Sequence, residues 1–212
     1  MANLKLFEKT YRITFTDELL GTMPGDREIF KNFVAGKAET MNEEAEAIPI
    51  DVEDELEKET TVFPRTADGQ PFIYDYQIRG FFKEACKFLK KVPKTRSSTE
   101  KAYKQKIDGM IFVKDRANVI TVNGKIGICE RPLRASTPQG DRVALSRSES
   151  IPEGSSVTFT AQCMVETDLK LIEEWLEYGE LHGTGQWRNG GKGRFTYVEL
   201  DKDGNVKENK KK

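Results

Sequence analysis

The apolar residues of this 212-residue chain change period along its length. The order of those changes restricts the fold more than any single motif does. Tyr11, Ile13 and Phe15 alternate with Arg12, Thr14 and Thr16, the period-two pattern of a half-buried strand. From Asp75, a suitable N-cap, Ile78, Phe81, Phe82, Ala85 and Leu89 recur at helical spacing and make one apolar face. Pro93 disfavours helix at Val92 and closes that element. Gly109 to Val113 is a short continuous apolar run, expected to be an interior strand. Val157, Phe159, Ala161 and Cys163 alternate with Thr158, Thr160 and Gln162. Thr167 or Asp168 then caps a second helix with Leu169, Ile172, Trp175 and Leu176 inward, and Gly179 lies where it should fray or stop. A last strand runs through Phe195, Tyr197 and Val198. Stripped of its excursions the order is βαββαβ. That predicts an α+β, ferredoxin-like (RRM-like) core: an antiparallel sheet with two helices on one face.

Two excursions interrupt the core. Residues 17–70 read as an insertion after strand 1, and within it Glu39 to Glu59 holds ten acids against one base, Lys58. Residues 114–155 are too long for an idle loop, and the turn signals Asn123-Gly124 and Pro138-Gln139-Gly140 predict a long β-hairpin arm between strands 2 and 3. The formal net charge of −1 conceals a basic half, since Arg79 to Arg147 contains seventeen Lys/Arg against six Asp/Glu. On the first helix Arg79, Lys83, Lys87 and Lys90 share a face, and the arm carries Arg131, Arg134, Arg142 and Arg147. A solvated surface explains such charge runs; so does a side facing a polyanion. Residues 1–204 are expected to form one domain, with 205–212 a disordered basic tail.

The most distinctive stretch is Leu181 to Phe195. Five of its fifteen residues are glycine, and they surround Trp187, Arg188, Lys192 and Arg194. Glycine permits φ > 0 and close backbone approach, and exposed amides in such loops form anion-binding concavities. A hairpin loop with solvated charges is the plainer alternative. The nucleic-acid-binding candidates are therefore Arg79, Lys83, Lys87, Arg131, Arg134, Arg142, His182, Gly183, Gly185, Trp187, Arg188, Gly190, Gly191, Lys192, Gly193 and Arg194. Other chemistry is disfavoured. There is no phosphate-binding G-x-x-x-x-G-K-[ST] loop and no G-x-S-x-G elbow. One histidine with three dispersed cysteines has no zinc-ligand spacing, and neither a metal nor a cofactor is expected. No apolar run approaches the roughly 20 residues of a membrane span. The odd, scattered cysteines point to reduced thiols in a cytoplasm.

Two motifs resemble the repeat-associated mysterious protein (RAMP) superfamily of CRISPR systems. Gly69-Gln70-Pro71-Phe72-Ile73-Tyr74-Asp75-Tyr76-Gln77-Ile78-Arg79-Gly80-Phe81-Phe82-Lys83 is similar to its G-x-P-x-I-P-G-S-S-L-K-G-x-x-R junction, although Tyr74-Asp75-Tyr76-Gln77 replaces small residues. Gly183 to Phe195 resembles its C-terminal glycine-rich loop, and Ser150-Ile151-Pro152-Glu153-Gly154-Ser155 its x-I-P-A-G-T run. The likeness covers roughly residues 60–200, and the whole chain also resembles small standalone phage and prophage proteins. It implies a non-catalytic protein of the bacterial cytoplasm binding RNA or single-stranded nucleic acid, with self-association along a strand as a further expectation. Two alternatives stay open. One is a counter-defence protein that imitates or caps a CRISPR effector subunit or traps a cyclic nucleotide. The other is a guide-processing endoribonuclease, for which His182 is the weak acid–base candidate.

Overall fold

The computed structural model describes residues 5–25, 60–137 and 140–207, apart from the side chains of 133–144. Strand β1 (Phe7–Phe15) lies in the main sheet between β10 (Ser156–Cys163) and β11 (Phe195–Leu200) and pairs antiparallel with both. Strand β6 (Ile111–Val113) pairs antiparallel with β10, as does β7 (Ala117–Thr121), which carries β5 (Phe72–Tyr74) at the edge. The order is thus β11-β1-β10-β7-β5, with β6 beside β10.

Alternation along the strands decides which face is covered. Tyr11 lies opposite Phe159 and Ile13 opposite Val157, and all four are buried. Over this face lie α1 (Asp75–Leu89) and α3 (Asp168–His182). Ring centroids of Phe82 and Phe159 are 6.2 Å apart, those of Phe82 and Trp175 5.5 Å, and those of Phe81 and Phe195 5.4 Å. Each such ring contributes about 1.5–3 kcal/mol by leaving water. The opposite face presents Thr10, Arg12, Thr14, Thr158, Thr160 and Gln162, and Thr10 meets Thr160 through their hydroxyls at 2.9 Å.

Three local details depart from the sequence expectation. The N-cap of α1 is Tyr74, whose N–H donates to Gln77 Oε1 at 2.9 Å; Asp75 is already in the first turn. There its charge suits the helix dipole and meets Arg79 at 3.3 Å and Arg116 at 3.4 Å. Helix α3 does not stop at Gly179. It runs to His182 and is capped by Gly183; Gly179 instead seats the Phe195 ring, since a Cβ there would lie 2.1 Å from Phe195 Cζ. A helix that the apolar pattern missed, α2 (Tyr103–Met110), precedes β6; Ile107 is its one buried residue, too little for a period to show.

The arm is β8 (Gly127–Thr137) and β9 (Gly140–Ile151), paired from Gly127↔Ser150 to Thr137↔Gly140. Its root is braced by part of the 17–70 insertion. Strand β2 (Leu19–Leu20) pairs with β9, β4 (Thr61–Val62) joins β9 through Thr61↔Ser148, and β3 (Met23–Pro24) pairs with β4. The acidic stretch 39–59 lies outside the described residues. Of the tail, residues 205–207 turn back on β11: Val206 bridges Leu200, and Lys207 Nζ meets Glu199 at 2.6 Å.

Candidate nucleic-acid interface

Gly183 (φ 77) ends α3 and starts the glycine loop, which closes on itself and on the β1–β2 turn. The Thr184 N–H donates to Gly193 O at 2.9 Å, and the Gly193 N–H donates to Glu18 O at 2.9 Å. Gly193 (φ 70) admits no other residue, since a Cβ would sit 1.9 Å from the Thr184 carbonyl oxygen. The Gly190 and Lys192 amides donate to Trp187 O, and the Gly191 amide to Arg188 O. The amides of Thr184, Gly190, Gly191, Lys192 and Gly193 are therefore engaged internally rather than presented to a ligand.

Two of the loop's cations also face carboxylates. Lys192 Nζ lies 2.7 Å from Glu18 and 3.0 Å from Asp17. Hydrogen bonds to Glu18 and Asp17 hold Lys192 above the ordinary lysine range despite partial desolvation. Burial pushes the Glu18 carboxyl up, but Lys192 and the Ser150 hydroxyl outweigh it and leave Glu18 below the usual carboxylate range. Arg188 donates to Gly185 O at 2.8 Å and pairs with Glu84 at 3.0 Å. His182 Nε2 lies 3.5 Å from the same Glu84 oxygen, and its ring stacks on Tyr178 at 5.1 Å. On α1, Arg79 pairs with Asp75 and Lys83 with Asp108 at 2.6 Å, while Lys87 is exposed above the Phe88 ring. Half of the expected basic stripe, Arg79 and Lys83, is balanced within the protein.

What remains is a patch where arm and loop meet. Trp187, left-handed at φ 52, is 42% exposed, and the Gly190 backbone packs against its ring. The Arg131 guanidinium, reaching across from β8, lies 5.1 Å from that ring's centroid, and its Nη2 donates to Gln186 Oε1 at 3.0 Å. Arg131 Nε and Nη1 are buried and have no hydrogen-bond partner among the described residues. The exposed Arg194 lies alongside Gly191, so Trp187 and Arg194 flank the Gly190-Gly191 pair. The side chains of Arg134 and Arg142 lie outside the described residues.

Gln186, absent from the candidates drawn from sequence, is the joint of this arrangement. Its Nε2 donates to Gly21 O at 2.9 Å and to Thr61 Oγ1 at 3.3 Å, while its Oε1 accepts from Arg131. A lone glutamine in a glycine-rich run has no sequence signal that would single it out. Behind the loop is a cavity of about 350 Å³ between α1, β2–β5 and Thr184–Arg188, which also escaped the sequence. Among the described residues no His/Cys/Asp/Glu cluster could hold a metal ion, and no helix is long and apolar enough to cross a membrane.

No protein-family model matches the chain, and no curated protein matches it in sequence. Solved structures do match. A chain of the type III-B Cmr-beta complex bound to cognate target RNA superposes with a TM-score of 0.53 at 11% identity, over 92% of this chain and 59% of that one. A chain of a type IV-B CRISPR complex aligns with a TM-score of 0.45, also at 11% identity, over 97% of this chain and 96% of that one. This protein is thus an α+β protein with mostly antiparallel sheets that shares its fold with a chain of the type III-B Cmr-beta structure. It spans under two thirds of the length of the Cmr-beta chain it resembles.

Proposed function

We propose that this chain is a RAMP-type protein with a ferredoxin-like βαββαβ core that binds single-stranded nucleic acid, RNA in the first place, without cleaving it. The antiparallel order β11-β1-β10-β6 with helices on one face supports that core. One observation carries the binding role: the half-buried Arg131, with two unpartnered nitrogens, beside the exposed Trp187 ring. A buried guanidinium left short of acceptors is costly, and a shift of the arm against the glycine loop that admits a phosphate oxygen would supply what it lacks. An exposed indole stacks any base, worth roughly 1–3 kcal/mol, without selecting sequence. Phosphate on Arg131 with the adjoining base on Trp187 is a minimal single-strand grip, and Arg194 extends it across Gly190-Gly191. The likeness in fold to a chain of an RNA-bound complex agrees with this reading. His182 has no place in it as a base, because its ring is stacked on Tyr178 and shares Glu84 with Arg188.

Fluorescence tests the grip directly. The protein has two tryptophans, and Trp175 is 1% exposed, so quenching by an added strand reports Trp187. Unlabelled single-stranded RNA and DNA are titrated at low salt and again at physiological salt. Saturable quenching that weakens with salt is expected, and it should require much more strand to saturate in Arg131→Met, which keeps Trp187 as the reporter. Folded protein that gives no saturable signal at low salt ends the proposal. Intact hairpin RNA after incubation with the wild type supports the non-catalytic part, and cleavage lost in His182→Ala overturns it.

A further inference from the structure

The cavity behind the glycine loop is a second site, distinct from the Arg131–Trp187 patch. Leu19, Phe63, Phe72 and Phe81 give it apolar walls. Its volume of about 350 Å³ is at the small end of ligand pockets, which span roughly 300–1,000 Å³. It is about a dozen waters' share of liquid volume, room for one base and part of its sugar but not for a chain of nucleotides.

Its electrostatics select the kind of ligand. Among the described residues the charged members of the lining are Glu84 and Arg188, which pair with each other at 3.0 Å. A phosphate would need surplus cations that this lining does not offer, so a cyclic oligonucleotide, charged at every linkage, fits poorly. A neutral ring with polar edges fits well. Gln77 is held in one orientation: its Oε1 accepts from the Tyr74 N–H, and one of its two amide hydrogens goes to Thr22 Oγ1 at 2.7 Å. The second amide hydrogen, the Thr22 hydroxyl and the Glu84 carboxylate offer a donor and acceptors to base edges.

Gly80 is the independent pointer. It lies in the interior of α1, where glycine is less favourable than alanine. Unlike Gly179, it is not demanded by the packing of the described residues: among them a Cβ there would meet nothing within 4 Å. Gly80 is exposed and lines the cavity, so a side chain there would stand over ground that a ligand entering from outside could use.

We infer that the cavity between α1 and the glycine loop, with Gly80 at its opening and Gln77, Thr22 and Glu84 as edge contacts, binds a single nucleobase. The choice of a nucleobase as the ring rests on the nucleic-acid reading above, and the base arrives either in a strand or as a free nucleoside. Saturation-transfer NMR on the full chain tests this with guanosine, adenosine, cytidine and uridine, each alone and as its 5′-monophosphate. At least one nucleoside should bind, and its monophosphate should bind no tighter. Gly80→Leu, which extends a side chain over the opening, should weaken that binding roughly tenfold or more, the scale of one added hydrophobic group in a fitted pocket. Gly80→Ala keeps the test independent of folding: it should raise Tm yet weaken nucleoside binding severalfold. No saturation transfer from any nucleoside at millimolar concentration, or wild-type affinity in Gly80→Leu, overturns the assignment. Competition separates the two sources. A short RNA that displaces the nucleoside shows a base delivered in a strand; a nucleoside that binds undisplaced assigns the cavity to the free compound. If nucleosides bind and no strand quenches Trp187, the cavity stands and the strand grip falls. The converse result removes the cavity alone.

Discussion

Arg131→Met separates the cost of the grip from its use. The substitution keeps an apolar stem against Trp187 and removes the charge. On the unbound protein it loses the bond to Gln186 Oε1, about 1.5–3 kcal/mol for a charged donor. It also loses the contact with the Trp187 ring, about 0.5–1 kcal/mol. Against this it removes two buried nitrogens that lack acceptors, each costing about 1–3 kcal/mol and more where charge is involved. The terms nearly cancel, with the balance toward the variant. At roughly 2–4 °C per kcal/mol for a chain of this size, Tm should stay level or rise by a few degrees in a thermal melt. Affinity for single-stranded RNA should fall about tenfold to a hundredfold, the loss of one charge-assisted bond. The slope of log affinity against log salt should shrink by about 0.7 for one phosphate contact on a single strand. Polarisation titrations at several salt concentrations measure both. A Tm that drops by several degrees while affinity and salt slope stay unchanged would mean that Arg131 is an architectural strut, and the grip argument fails.

Other outcomes follow from the packing and the charges. Gly179→Ala, ordinarily a stabilising change in a helix, should cost about 1–3 kcal/mol here because its methyl meets the Phe195 ring; a raised Tm would contradict that geometry. Burial pushes Glu199 up, but Lys207 and Lys9 outweigh it and hold its carboxyl below the usual range. Its folded pKa being depressed, this stabilisation is present above the ordinary value of 4.5 and is lost as pH falls below it. Melts between neutral pH and pH ~3 should show a shallower acid loss in Glu199→Gln, whereas matching curves would remove the network from the account. Burial raises the Cys163 thiol to about 12 and also raises Cys86. Both are buried and should resist alkylation in the native protein, label by mass spectrometry only on unfolding, and react after Cys129.

The parts legible from sequence are those where one period persists long enough to register. Tyr11, Ile13 and Phe15, the 157–163 alternation and the Ile78–Phe82–Ala85 stripe all lie inward, as does Trp175. The hairpin was legible through its length, but of the expected 114–155 arm residues 117–121 belong to the main sheet as β7 and the hairpin strands occupy Gly127–Thr137 and Gly140–Ile151. The acid–base pairing was not: nothing in the linear order brings Lys192 to Glu18, Arg188 to Glu84 or Lys83 to Asp108. A charge count reads these lysines and arginines as available to a partner, while the fold has already neutralised them. The meeting of Arg131 with Trp187 depends on how the arm's root is seated against β2 and β4, which are two-residue strands with no periodic signature. The proposed βαββαβ core would not bring with it the sheet surface that RNA-recognition domains use for stacking. The outer faces of β1 and β10 are threonine-rich, without an aromatic ring.

The chain leaves the described body at Gly25 and re-enters it at Thr60, where the Gly25 N–H is hydrogen-bonded to the Thr60 carbonyl at 3.0 Å. Exit and entrance thus share one doorpost on the edge of the bracing sheet. Ends this close are within reach of a short turn, so joining Gly25 to Thr60 directly asks neither β3 nor β4 to move. Shortening the connection lowers the entropy of closure, by roughly 0.6 kcal/mol for each halving.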